Sequence, residues 1–255
     1  ETKRVVDYGL YAEDNIIYGA IVWYEDINNK GGIDCFTIEN GTWSFYEDSS
    51  PWDFLNLKDS FTRKTRIDGH YITVEDGYSI YKDTPTQRMV CYDFKNRSTV
   101  INDIDQFIGR YYSSQGICSV KRESSVEKIK NNPIDGTDIS LGNTSEGILV
   151  LDHCFDSSRG KFFVLWHKCS IDTGNGDAYT PQTGRVYLRV YESVSGTVTQ
   201  TAQVIVQEEI YPQWARIILD PTPVVILQGI REAFIHRQRA EIQDLPVNYE
   251  TWDPD

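Results

Sequence analysis

The sequence lacks long apolar runs, nucleotide-binding motifs and an excess of basic residues. No stretch reaches the roughly 18 uninterrupted apolar residues of a transmembrane helix. It contains neither a GxGxxG sequence nor a phosphate-binding loop, which argues against nucleotide use. Lys and Arg total 25 against 38 Asp and Glu, so the net charge is −13. Because this charge opposes phosphate backbones and anionic lipid surfaces, we expect no nucleic-acid partner and no membrane insertion.

Closely spaced cysteine pairs are also missing. An odd number of cysteines without short spacing does not indicate a disulfide framework, so we expect free, mostly buried thiols and a reducing compartment. The five are Cys35, Cys91, Cys118, Cys154 and Cys169. The chain begins at Glu1, without Met and without a signal peptide, and we interpret it as a processed product or an excised domain.

What the sequence does contain favours β structure. Aromatic residues make up 13% and hydrophobic residues 40% of the chain, and Met occurs once. The longest apolar tract is 148–169, which the segment DSSRG interrupts as a hairpin turn. With Phe155 opposite Lys161, both faces of this hairpin are apolar, and His153 shares a face with His167. The hairpin is therefore predicted to be a central element, covered on both sides.

Turn signals and alternating residues predict further hairpins along the chain. Asn40-Gly41 leads into a strand at Thr42–Tyr46, Arg66–Val74 is predicted as one strand, and Arg185–Glu192 alternates with a Tyr/Arg outer face. We predict a mainly β fold, an antiparallel sandwich or barrel of roughly eleven short strands. The chain is treated as one domain, 1–255, in which 216–255 could form an extension with a single helix over 228–243. No repeat of fixed period is found.

Candidate metal ligands and catalytic groups do not form a recognisable motif. His153, Cys154, His167 and Cys169 carry zinc-binding atoms, but the hairpin register separates the two histidines by about 13 Å. The loop at 172–177 lacks the third and twelfth ligands of a calcium-binding hand. There is no GxSxG motif, and nothing singles out a pair among the 38 acids. We therefore assign no catalytic residue, no metal and no cofactor.

Aromatic residues in or beside loops are the remaining binding candidates. Loop aromatics on a β scaffold commonly contact glycans or protein partners. The alternative is that several of them close the ends of the fold. The candidates are Trp43, Trp52, Tyr112 and Tyr179.

Three stretches give the chain a resemblance to a known family. They are YGAIVWYEDINNKGGIDCFTIE, GRVYLRVYESVSGTVTQTAQVIV and the acidic end NYETWDPD. In these hairpin strands and this acidic end the chain resembles a surface domain of non-enveloped virus capsids, in particular the dimeric spike of astroviruses. The resemblance implies a homodimer on the virion surface that binds a host receptor or glycan, is recognised by antibodies and is not an enzyme.

Two other functions remain open from the sequence. The first is a carbohydrate-binding module of a phage tail or bacterial adhesin, which would be extracellular. The second is a hydrolase on a β scaffold, which a cleft with converging carboxylates or a Ser-His pair would favour.

Overall fold

The computed structural model describes most of the chain as β structure. The described residues are 3–25, 30–46, 64–75, 88–104, 108–112, 115–123, 126–143, 147–172, 180–219, 223–231, 234–241 and 248–252. Within these ranges every paired sheet is antiparallel, none of the sheets closes on itself, and no helix occurs. The prediction of a mainly β, antiparallel fold is confirmed.

The first three sheets are four-stranded meanders in chain order. The first consists of β1 (Lys3–Glu13), β2 (Ile16–Glu25), β3 (Lys30–Glu39) and β4 (Thr42–Tyr46). The second consists of β5 (Lys64–Asp68), β6 (Tyr71–Glu75), β7 (Arg88–Asp93) and β8 (Ser98–Ile104). The third consists of β9 (Ile108–Tyr112), β10 (Gly116–Glu123), β11 (Val126–Lys130) and β12 (Ile139–Asn143).

The remaining seven strands form one hydrogen-bonded series that contains two further meanders. They are β13 (Ile148–Asp156), β14 (Lys161–Asp172), β15 (Thr180–Val194), β16 (Thr197–Leu219), β17 (Pro223–Arg231), β18 (Phe234–Glu241) and β19 (Asn248–Trp252). The first half of β16 pairs with β15 and its second half pairs with β17, so β16 belongs to both. We call β13 to β16 the fourth sheet and β16 to β19 the fifth. A four-stranded antiparallel meander is the unit from which β-propeller blades are built.

The chain divides into two compact units. Unit 1 comprises Glu1–Ser79 with Thr84–Ser119, and unit 2 comprises Ile80–Asp83 with Val120–Asp255. In unit 1, side chains from β2, β3, β6 and β7 form an apolar core between the first and second sheets. Its buried members are Ala20, Val22, Tyr24, Ile33, Cys35, Ile72, Val74, Val90, Tyr92 and Phe94.

Carboxylates connect successive sheets inside each unit. In unit 1 the Thr65 hydroxyl on β5 donates to Asp7 on β1, and the Gly109 N–H on β9 donates to Glu75 Oε1 on β6 at 2.6 Å. Unit 2 has two such contacts. The Val150 N–H donates to Glu127 Oε1 at 3.5 Å, and the Ile217 N–H donates to Asp152 Oδ2 at 2.7 Å. In all four the donor lies on the first strand of the following sheet, where a buried polar group requires a partner.

The predicted helix and the strand count are wrong. The region predicted to be helical, 228–243, contains the end of β17 and all of β18, which pair as antiparallel strands. Val225, Leu227 and Gly229 are buried at every second position, which is the period of a strand. Gly229 also disfavours a helix interior by roughly 1 kcal/mol. Nineteen strands occur among the described residues instead of about eleven, because polar segments such as 3–13 and 126–130 also join sheets.

The central hairpin is confirmed, but its predicted register is wrong. The first seven residues of β13 are buried, and residues 162–167 of β14 are buried. Asp156 pairs with Lys161 and Phe155 with Phe162, one position from the prediction. A bulge between Val150 and Asp152 then restores the expected pairing of Leu149 with His167. The bulge reverses the faces, because each residue step changes the side of the sheet, so His153 and His167 lie on opposite faces.

Candidate functional site

Five aromatic rings of unit 1 form a continuous row, which we call the aromatic row. The members are Tyr18, Tyr11, His70, Tyr71 and Tyr111. Successive ring centroids are 6.4, 5.1, 4.2 and 4.1 Å apart in that order. All five side chains are half-buried, so each ring is supported by the fold and still partly accessible. Such a surface presents flat apolar faces together with polar hydroxyl and imidazole groups.

A two-residue turn between β5 and β6 positions the centre of this row. Asp68 pairs with Tyr71 across the turn, and Gly69 has a φ of 58°, a left-handed conformation that glycine adopts without strain. The carbonyl of His70 accepts a hydrogen bond from the Phe94 N–H at 3.0 Å, which fixes the turn against the end of β7. The Asp68 and Tyr71 side chains therefore lie on the same face of the sheet at paired positions.

Asp93 supports the row from the next strand. It pairs with Tyr71 in the ladder between β6 and β7. Its Oδ1 accepts the Asn96 N–H at 2.9 Å, and its Oδ2 accepts the Asn96 side-chain amide at 2.8 Å. The His70 Nε2 lies 3.7 Å from Asp93 Oδ2. Asn96 hydrogen-bonds to both oxygens of Asp93 and so fixes the orientation of this carboxyl group. The fixed carboxyl group in turn holds the turn and the His70 imidazole in place.

The Asp68 carboxyl is chemically distinct from Asp93. Its Oδ2 is buried and has no hydrogen-bond partner among the described residues. Burial raises the pKa of Asp68 to about 6, and the nearby Arg110 guanidinium acts in the opposite direction. A carboxyl with such a pKa keeps a substantial protonated fraction in weakly acidic solution, as a general acid requires.

The same face of the second sheet continues into a buried polar layer. Arg66, Thr73 and Cys91 are at most 2% exposed, and Arg110 on β9 is 5% exposed. Burial raises the pKa of the Cys91 thiol to about 12, with Asp93 and Asp68 adding to the rise and a hydrogen bond with Thr73 opposing it. A thiol in this state remains protonated, so it is not a nucleophile.

The row has a charged end at Tyr18. The Lys95 ammonium lies 5.8 Å from the centre of the Tyr18 ring and donates to the Glu13 carboxylate. The hydrogen bond with Lys95 is the largest cause that lowers the pKa of Glu13, and the same bond raises the pKa of Lys95. Both side chains are partly exposed to solvent, so this pair orders the rim of the row and contributes little to stability.

The structure describes two of the four predicted binding residues, Trp43 and Tyr112, and they lie on different sheets. Trp43 lies on β4, is 65% exposed and stacks on Phe36 with ring centroids 5.1 Å apart. Tyr112 lies on β9 and is 7% exposed, while its neighbour Tyr111 belongs to the aromatic row. Trp52 and Tyr179 fall outside the described residues. Their role in binding stays a prediction.

Asp68, His70 and Tyr71 were missed because Arg66–Val74 was predicted as a single strand. The dipeptide Asp68-Gly69 between apolar residues is a strong hairpin signal and would have divided that segment into β5 and β6. The row itself could not have been found, because its rings come from β1, β2, the turn after β5, β6 and β9.

The residues considered for metal binding are dispersed in the described structure. His153 and His167 are completely buried, and the edge of His153 faces the Phe162 ring at 5.8 Å. The Cys169 side chain and most of the loop 172–177 lie outside the described residues. Among the described residues, no group of three His, Cys, Asp or Glu side chains is placed to hold a metal ion. Within the same part of the chain, no helix is long and apolar enough to cross a membrane.

Comparison with known proteins finds a similar structure but no similar sequence. No family model matches the chain, and no curated protein sequence does. An endo-arabinase from Bacteroides thetaiotaomicron VPI-5482 is similar in structure, with 13% sequence identity, 95% of each chain covered and a TM-score of 0.43. The structure found is that of an enzyme, whereas the sequence predicted a non-enzymatic viral spike, and that prediction is withdrawn. A TM-score of this size carries no argument about the function of the present chain, which has to rest on its own geometry.

Proposed function

We propose that unit 1 binds a carbohydrate along the aromatic row and hydrolyses it with Asp68 as the proton donor. The observation that supports this proposal is the pairing of Asp68 with Tyr71 at the centre of the row. Sugar rings present flat C–H faces to aromatic side chains, and their hydroxyls hydrogen-bond to imidazole, phenol and carboxylate groups. The half-buried rings are therefore suited to hold successive sugar units.

The proposed reaction needs a single proton transfer in each direction at Asp68. The protonated carboxyl donates its proton to the glycosidic oxygen while the bond from that oxygen to the anomeric carbon breaks. A water molecule adds to the anomeric carbon and loses a proton, which returns Asp68 to its starting form. Arg110 lies near enough to influence Asp68 electrostatically and would stabilise the carboxylate that forms between the two steps.

The test combines binding and cleavage of a panel of plant and bacterial polysaccharides. Asp68→Asn should lower cleavage at least about 100-fold and leave binding intact, because proton donation typically contributes factors of 10² to 10⁴. Tyr71→Ala and Tyr111→Ala should weaken binding. Asp138→Asn is the control, since this carboxylate is 43% exposed and lies in unit 2.

Three results would contradict the proposal in whole or in part. Full cleavage by the Asp68→Asn variant would exclude this residue as the acid. Failure of the wild-type chain to bind any member of the panel would exclude the row as a carbohydrate site. Binding without cleavage would retain the row and remove the catalytic role of Asp68.

A further inference from the structure

The outer edge of β4 differs from the other edge of the same sheet. β4 has the sequence TWSFY, carries no charge, proline or glycine, and its first four residues are exposed. At the opposite edge, β1 has a bulge between Val5 and Asp7 and charged side chains at Lys3 and Arg4. Bulges and charges are the usual protection of an edge strand against pairing with another chain. Among the described residues, β4 has neither.

The turn before β4 determines which backbone groups face outward. Asn40 and Gly41 have φ values of 49° and 78°, so they form a two-residue turn of the type that closes hairpins. The flanking pair, Glu39 with Thr42, is then a hydrogen-bonded pair, and the pattern alternates along the strand. The N–H and C=O groups of Trp43 and Phe45 consequently point away from β3, towards the edge at which the described residues add no further strand.

We propose that two copies of this chain pair along β4 as antiparallel strands related by a two-fold axis at Ser44. In this register Trp43 lies opposite Phe45 of the second copy, and the reverse pair follows by symmetry. Each pair exchanges both of its N–H···O bonds, because these are the residues with outward backbone groups. The result is a continuous eight-stranded sheet from two four-stranded ones.

The side chains of β4 are complementary to themselves in this arrangement. Trp43 and Phe45 are 65% and 55% exposed and lie on the same face, so each forms an aromatic pair with the other copy. On the opposite face, Arg97 lies 4.2 Å from the Tyr46 ring, and Tyr46 comes opposite Thr42 of the second copy. Thr42 pairs with Glu39, so Glu39 of the second copy lies two strand spacings, about 10 Å, from Tyr46 on this face.

Engineered cysteines test the register. Ser44 of one copy lies opposite Ser44 of the other in a non-hydrogen-bonded pair. The two Cα atoms are about 4.5 Å apart, a distance that a disulfide can bridge. Ser44→Cys should therefore give a covalent dimer under mild oxidation. Thr42→Cys is the matched control, because the two Thr42 positions lie about 13 Å apart in this register. Equal cross-linking of both variants, or of neither, would overturn the proposal.

Charge substitutions test the interface without relying on cysteine chemistry. In light scattering the wild-type chain should show twice the chain mass, and Trp43→Glu alone or Phe45→Lys alone should shift it to a monomer. The two changes together place a carboxylate opposite an ammonium in both pairs, so the dimer should return. A wild-type monomer at all concentrations, a dimer that tolerates either single change, or no rescue by the double change would overturn the proposal. These readouts are independent of carbohydrate binding.

Discussion

The side chain of Asp152 accepts a hydrogen bond from the backbone N–H of Ile217, 65 residues further along the chain. Asp152 is completely buried on β13, and its second oxygen accepts the N–H of His153 at 2.9 Å. This carboxylate thereby joins the start of the fourth sheet to the second half of β16.

Removal of this carboxylate should destabilise unit 2. We expect Asp152→Ala to lower the free energy of unfolding by about 2–3 kcal/mol, because the buried Ile217 N–H loses its charged acceptor. Asp156→Ala is a suitable comparison, since Asp156 bonds to Ser158 and Arg159 in an exposed turn. Urea unfolding followed by tryptophan fluorescence measures both. An equal loss of unfolding free energy in the two variants would show that the hydrogen bond from Ile217 does not stabilise the fold more than the exposed turn does.

Gly109 should tolerate no larger residue unless Met89 is shortened. A Cβ at Gly109 would lie 1.8 Å from Met89 Sδ, far inside van der Waals contact. We expect Gly109→Ala to cost about 1–3 kcal/mol, the range for overpacked cores. Combination with Met89→Ala should cost less than the sum of the two single changes. A double-mutant cycle in urea measures this coupling, and strict additivity would contradict it.

Acidification should destabilise unit 2 through His167. Burial lowers the pKa of His167 to about 4, although backbone hydrogen bonds with Ile210 and Gly184 oppose this shift. The unfolded chain binds this proton below about pH 6.5, so stability is complete above that pH and falls as the pH drops towards 4. The full loss is about 3 kcal/mol. His167→Gln should remove this part of the pH dependence in urea titrations at pH 7 and pH 4.5, and an unchanged slope would refute the assignment.

Asp68 should have the opposite effect on stability. Its pKa is raised to about 6 by burial, so the unfolded chain loses this proton first and native stability declines as the pH rises from about 4 to 6. Asp68→Asn should stabilise the chain at pH 7 by up to about 3 kcal/mol and by much less at pH 4.5. Thermal unfolding at both pH values measures the gain. Destabilisation at pH 7 would show that the attraction to Arg110 outweighs the cost of burial.

The sequence predicts local elements of this fold better than their arrangement. Thr42–Tyr46 is a strand with the predicted bounds, because the Asn-Gly dipeptide fixes both the turn and the strand that follows. The faces of the central hairpin were predicted incorrectly, because the bulge between Val150 and Asp152 leaves no mark in the apolar pattern. The sharing of β16 between two sheets was also invisible, since a 23-residue strand resembles two shorter ones.

For the candidate site, too, the sequence shows individual residues better than their arrangement. The aromatic residues Tyr11, Tyr18 and Tyr111 are obvious in the sequence, but their neighbours come from separate strands. The raised pKa of Asp68 depends on burial beside Arg110 of β9, and therefore on the packing of β9 against the second sheet. Tyr112 was predicted as a binding residue, whereas its neighbour Tyr111 belongs to the aromatic row. The pattern of apolar residues at 103–138 is too weakly periodic to show which side chains share a face.

Because β16 belongs to both the fourth and the fifth sheet, a change in its length affects both sheets during evolution. Its two halves meet near Glu209, which has a φ of 50°, and Ile210, the last residue paired with β15. One codon gained or lost at this junction would turn every side chain of one half to the wrong side while the other half kept its orientation. Changes of length should therefore accumulate in the connecting loops and be excluded from residues 207–212.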